Sequence, residues 1–140
     1  MEQGTDLKQI TKQISMKQIR LYAEASGDFN PIHVDEEYAR KSHYGHNIAH
    51  GMMVAASISE IMTSSFGSAW HSTGKMKIRF RAPVFPGDMI TATGHVKEIT
   101  ETNRGSEIRC TIAVTRQTGE VAISGATSIT VSSQMPTNTD

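Results

Sequence analysis

The clearest pattern along the chain is an alternation of apolar and polar positions in its second half. Over residues 74–82, Met76, Ile78 and Phe80 oppose Lys75, Lys77, Arg79 and Arg81; over 106–116, Ile108, Cys110, Ile112 and Val114 oppose Arg109, Thr111 and Thr115. A period of two puts alternate side chains on opposite faces of a strand. Residues 89–99 and 120–131 alternate in the same way, so the pattern predicts four strands in succession. Turn-forming stretches join them: FPGD at 85–88, ETNRGS at 101–106 and QTGE at 117–120. The last two suit antiparallel hairpins, because a parallel crossover needs a dozen or more residues.

The first half follows a different period. Leu7, Ile10 and Ile14 suggest a short edge strand. Ser15 with Gln18 three positions later fits a capping box, and Ile19, Tyr22 and Ala25 recur at helical spacing until Gly27 stops the run. Asp35 opens a second short helix in VDEEYARKS, and HYGHNIAHG is a glycine-broken connection. From His50 to Phe66, Met52, Met53, Val54, Ala55, Ala56, Ile58, Ile61 and Met62 nearly encircle a helix axis, with Gly67 placed as its C-terminal cap. Such a helix should be wrapped by other structure. Helices first and antiparallel strands afterwards define an α+β domain in which helix 51–66 covers the apolar face of the sheet. The ending SSQMPTNTD has no periodicity, so one domain is expected over residues 1–131 and a loose tail over 132–140.

Composition narrows the function classes. A chain of 140 residues is the size of one domain, and its 14 basic and 14 acidic side chains cancel. No global field therefore favours nucleic acid or an anionic membrane as partner. Cys110 is alone and cannot form an intramolecular disulfide, and the start of the chain is polar, which together lead us to expect a reducing, cytoplasmic setting. The stretch GMMVAASISEIMTSSFG is too short for a membrane span and is interrupted by Glu60.

The chemistry concentrates in SGDFNPIH, residues 26–33. Pro31 has no amide hydrogen and pushes Asn30 out of the helical region, so the segment from Asp28 to His33 is expected to turn or extend. Asp28 and His33 can then converge on one point, where a carboxylate and an imidazole that titrates near neutrality could share and activate a water molecule. The same residues also admit a plainer reading, in which Asp28 caps a turn, Asn30–Pro31 punctuates it, and His33 is a satisfied, half-buried histidine.

Beyond local composition, SGDFNPIH with Ala39 six residues after His33, then IAHGMMVAASIS, then IRFRAPVFPGD, resembles the MaoC-like (R)-specific enoyl-CoA hydratases in order and spacing over about residues 15–131. The resemblance implies a hot-dog fold, a long helix wrapped by a curved antiparallel sheet, and a homodimer with a continuous double sheet. It implies syn hydration of a trans-2-enoyl thioester to the (R)-3-hydroxyacyl thioester, with no cofactor beyond the coenzyme A of the substrate. Carried over residue by residue, Asp28 and His33 form the catalytic pair and Asn30 orients it. The Gly51 amide in the HGM segment polarises the thioester carbonyl, and His50, Ser59 and Arg81 join it as substrate-binding residues. Ala25 stands where the family favours a larger aliphatic residue.

Other constellations compete. The row Lys75, Lys77, Arg79 and Arg81 suits either the phosphates of coenzyme A or a solvated sheet face. His43, His46 and His50 have metal-like spacing, but Gly45 breaks the segment and no carboxylate or cysteine joins it, so no metal is expected. Three further hypotheses remain: an acyl-carrier-protein dehydratase, a thioesterase with Glu60 as base, and a non-catalytic acyl-CoA binding module.

Overall fold

The structure is a computed structural model that describes residues 1–132; the rest of the expected tail, 133–140, lies outside the described residues. Its elements are β1 (Ile10–Gln13), α1 (Met16–Ser26), α2 (Pro31–Val34), α3 (Glu36–Arg40), α4 (Gly51–Phe66), α5 (Ser68–Thr73), β2 (Lys75–Phe80), β3 (Met89–Thr102), β4 (Gly105–Arg116) and β5 (Val121–Val131). The strands form one antiparallel sheet in the order β1-β3-β4-β5-β2. This sheet packs around α4, the hot-dog architecture of the α+β class.

The helix-start signals act as the sequence indicates. Ser15 and Gln18 close a complete capping box on α1, and Gly27 ends it in the left-handed region at φ 79°. The buried face of α1 is Ile19 and Ala23, with Tyr22 at its margin; Ala25 is exposed, so its small size leaves no packing defect behind Asp28. Two short helices escape the sequence pattern. Pro31 starts α2, because proline suits the first position of a helix, and α5 follows Gly67 directly.

Helix α4 is wrapped on all sides but one. Val54, Ala55, Ile58, Ile61, Met62 and Phe66 are buried, while Met52, Ala56, Glu60 and Ser64 form an exposed stripe at a spacing of four. The expected encirclement is thus a wide buried face with one open row. On β2, Met76 and Ile78 are half-buried as their alternation requires, but Phe80, at the strand end, is 56% exposed.

The turn at 85–88 is anchored from within. The Asp88 carboxylate accepts hydrogen bonds from Arg116 Nε (2.7 Å) and Nη2 (3.1 Å), Gln117 Nε2 (2.8 Å) and the Phe85 amide (2.8 Å). Burial opposes the charge on Asp88, but these donors outweigh it and hold the carboxyl below its ordinary range. Stability from this group is therefore present above about pH 4 and is lost as the carboxyl protonates in acid. Asp88→Asn should cost about 2 kcal/mol at neutral pH, because it removes the buried partner of Arg116 and leaves that charge only the exposed Glu120, 2.8 Å from Nη1. Denaturant unfolding should show that difference shrinking towards about pH 3; an equal loss at both pH values would remove the ion pair as its cause.

Burial pushes the Cys110 thiol up to about 11, so it stays protonated in the core of β4 and serves as packing.

Candidate active site

The site begins where α1 ends. Gly27 reverses the chain, Ser26 Oγ accepts from the Asp28 amide at 3.2 Å, and the Asn30 amide donates to Asp28 Oδ1 at 3.2 Å. Asn30 itself is extended (φ −52°, ψ 129°), as a residue before proline should be, and its Oδ1 caps α2 through the Ile32 amide at 3.1 Å. One residue therefore holds the carboxylate with its backbone and starts the helix carrying His33 with its side chain.

On α2, His33 Nδ1 lies 2.8 Å from the carbonyl of Ile48. A carbonyl can only accept, so Nδ1 carries the hydrogen, and in the neutral ring Nε2 keeps its lone pair. That Nε2 faces Asp28 Oδ2 at 3.9 Å, with the imidazole side chain 12% exposed and the carboxylate 52% exposed. The separation is too long for a direct hydrogen bond and matches a span that one water oxygen can bridge.

His50 lies immediately behind this pair. Its Nε2 donates to the Asp28 carbonyl at 2.9 Å, and its ring stacks on His33 with centroids 3.8 Å apart and planes at 24°. Asp28, His33 and His50 are the residues that gather ligand-type atoms within 4.8 Å among the described residues. They fit a metal poorly: lone pairs lie in the ring planes, so two stacked imidazoles direct them alongside one another, and the His50 Nε2 is already a donor to a carbonyl. The sequence-spaced set of histidines is dispersed, with His43 against Tyr44 and His46 edge-on to Phe85.

Beside His33 a cleft of about 420 Å³ opens, with His33, Gly51, Phe80 and Arg81 among its walls and Val54, Val84, Ala122 and Ile123 as its apolar lining; Asp28 stands outside these walls and is tied to the cleft through His33. Gly51 is the first residue of α4. The first intrahelical bond of α4 runs from the Val54 amide to the His50 carbonyl, and His50 offers no side-chain cap. The amides of Gly51, Met52 and Met53 therefore have no partner within the helix, and the positive end of its dipole points the same way. A side chain at Gly51 would meet Phe80, whose Cε1 lies 2.8 Å from where a Cβ would stand.

The remaining candidates separate. Of the basic row, only Arg81 lines this cleft among the described residues, and its Nε donates to Ser124 Oγ on β5; Lys75, Lys77 and Arg79 face solvent. Ser59 is half-buried two turns along α4 and is not in the cleft wall. Glu60 is ion-paired with Lys12 of β1 and, like Asp28, is outside the wall. Three contributors were missed from sequence: Phe80, the Ile48 carbonyl and Tyr22, whose ring packs on His50 at 4.7 Å. Tyr22 had a signal, its helical spacing, but that pointed to core; a backbone carbonyl has none.

The MaoC like domain matches residues 1–120 of this chain. An (R)-specific enoyl-CoA hydratase of Rhodospirillum rubrum is 34% identical over 122 residues, covering 87% of this chain and 83% of that protein. A mitochondrial 3-hydroxyacyl-[acyl-carrier-protein] dehydratase of Arabidopsis thaliana is 36% identical over 85 residues, 61% of this chain but 50% of that relative, so the match spans half its length. The solved (R)-hydratase from A. caviae involved in PHA biosynthesis has a TM-score of 0.81, with 25% identity, over 94% of this chain and 97% of its own. Fold and site together define a hot-dog hydro-lyase. The chain belongs to the MaoC-like family, and its chemistry is that of a hydratase/dehydratase.

Proposed function

We propose that the protein is an (R)-specific enoyl-CoA hydratase, adding water syn to trans-2-enoyl-CoA to give (R)-3-hydroxyacyl-CoA. The observation that carries this reading is the 3.9 Å gap between His33 Nε2 and Asp28 Oδ2. A water there, about 2.8 Å from each, donates one hydrogen to the carboxylate and one to the imidazole, which leaves an oxygen lone pair for the substrate. As that oxygen bonds to the β-carbon, its O–H bond breaks and the proton passes to the pair. The pair returns a proton to the α-carbon, so one water is added in balance. Because one water and one pair serve both carbons, both new bonds form on the same face of the double bond.

During the attack, negative charge grows on the thioester oxygen. The Gly51 amide at the head of α4 is the donor suited to it, aided by the helix dipole. Val54, Val84, Ala122 and Ile123 would receive the acyl group, and Arg81 at the cleft wall would meet a phosphate of the carrier. No cofactor has a step in this scheme. Asn30 acts by holding Asp28 in place.

A second reading changes only the carrier. The likeness to the Arabidopsis acyl-carrier-protein dehydratase favours 3-hydroxyacyl-ACP as substrate of the same site, run in the direction of water loss. Purified protein should consume crotonyl-CoA, followed by loss of the enoyl thioester absorbance, faster than the matched ACP thioester. A faster ACP reaction supports the second reading, and no reaction with either removes both.

We further propose a homodimer. β2 is an edge strand, and Phe80 at its end and Met52 on the open row of α4 (61% exposed) leave apolar surface near the cleft. Light scattering should give twice the 15.3 kDa chain mass; the mass of one chain would contradict this.

A further inference from the structure

We infer that His50 is a positioning residue for the Asp28/His33 pair and not a substrate contact. The inference rests on the hydration reading above and assigns His50 a role of its own within it.

Several observations converge on this histidine. Its side chain is buried, with the residue 2% exposed, and it is not among the walls of the cleft. It packs between three elements: Tyr22 of α1 against its ring at 4.7 Å, His33 of α2 stacked at 3.8 Å, and its own backbone leading into α4. Its Nε2–H reaches across to the backbone carbonyl of Asp28 at 2.9 Å. The turn holding the carboxylate and the ring holding the lone pair are therefore tied to the same imidazole.

Position 50 is also the N-cap of α4, where serine, threonine, asparagine or aspartate would bond the exposed helix amides. His50 makes no such bond. Its other nitrogen, Nδ1, is enclosed and has no hydrogen-bond partner among the described residues, a costly condition for a buried polar atom. A residue that neither caps its helix nor satisfies both its nitrogens is poorly chosen for stability alone. What it does provide is a flat ring against His33 and a donor aimed at the Asp28 backbone. Reacting groups displaced by about 1 Å can lose about 10²-fold in rate, so this tie bears directly on the 3.9 Å gap.

The two functions of the ring can be separated. His50→Phe keeps the stacking face and removes the donor; His50→Gln keeps a donor near Nε2 and removes the ring. With crotonyl-CoA, His50→Phe should lower kcat about 100-fold with KM within about twofold of the parent, and His50→Gln should recover kcat to within about tenfold. A raised KM at unchanged kcat would mark a substrate contact and overturn the inference. Unchanged kcat in His50→Phe, or a glutamine variant as slow as the phenylalanine one, would overturn it as well.

A measurement on the parent protein covers the case in which the variants do not fold. Nitrogen-correlated NMR of histidine-labelled protein should show the His50 ring as the Nε2–H tautomer; a ring with its hydrogen on Nδ1 would overturn the tie to Asp28. If the parent leaves crotonyl-CoA untouched, the hydration reading fails while the tautomer still decides the tie.

Discussion

Asp28→Asn should lower kcat for enoyl-CoA hydration about 10³-fold while KM stays within about threefold, because the change acts on the reacting water and not on binding. The two side chains are nearly the same shape. An asparagine can keep its Oδ1 on the Asn30 amide, so the turn should survive the substitution. The atom that now faces His33 Nε2 at 3.9 Å then becomes a donor in place of an acceptor. A water in that gap can no longer give a hydrogen to both neighbours, and its lone pair is drawn away from the substrate. His33→Gln should lose a comparable factor. Since both groups serve one water, the double variant should fall little further than either single one. Multiplying losses would mean that the two residues act independently and that the shared water is the wrong account.

The second large effect concerns the carbonyl end of the substrate. Gly51→Pro should lower kcat about 10²–10³-fold beyond Gly51→Ala, the loss expected when one oxyanion donor is removed. Both substitutions add a Cβ 2.8 Å from Phe80 Cε1, so both must push aside that partly exposed ring. Only proline also removes the amide hydrogen. The backbone accepts it: Gly51 is the first residue of α4, where proline is well tolerated, and His50 already has the φ −62° and ψ 134° that a residue before proline needs. Circular dichroism should therefore match across the three proteins while kcat separates them. Equal kcat for the alanine and proline variants would show that the Gly51 amide does not carry the developing charge.

Much of this molecule is legible from local rules. The alternation around Ile108 to Val114 marks a strand because period two is enforced by the pleat, and Ser15 with Gln18 marks a helix start because both partners of the capping box lie within four residues. What local rules miss depends on distance in sequence. Phe80 reads as an inward strand position, yet it sits at the end of an edge strand and turns to the head of α4. The Asp88–Arg116 pair joins residues 28 positions apart, brought together only by the sheet.

The candidate site divides along the same line. Asp28, Asn30 and His33 are close in sequence, and the short side-chain-to-backbone bonds that shape them follow from their own chemistry. Their relation to Gly51 is not visible in spacing and enters only through the resemblance of three separated segments. The role of His50 is less visible still. Its partners are a carbonyl 22 residues earlier and two rings from other helices, so neither its burial nor its stacking has any signature in the residues beside it.

The central claim is that one water held by Asp28 and His33 adds to one face of an enoyl thioester. The most direct test is to incubate the parent protein with crotonyl-CoA in the absence of any coupled enzyme and resolve the product by chiral analysis. The account predicts (R)-3-hydroxybutyryl-CoA with no release of free thiol. The (S) product, free coenzyme A, or an unchanged enoyl thioester would contradict it.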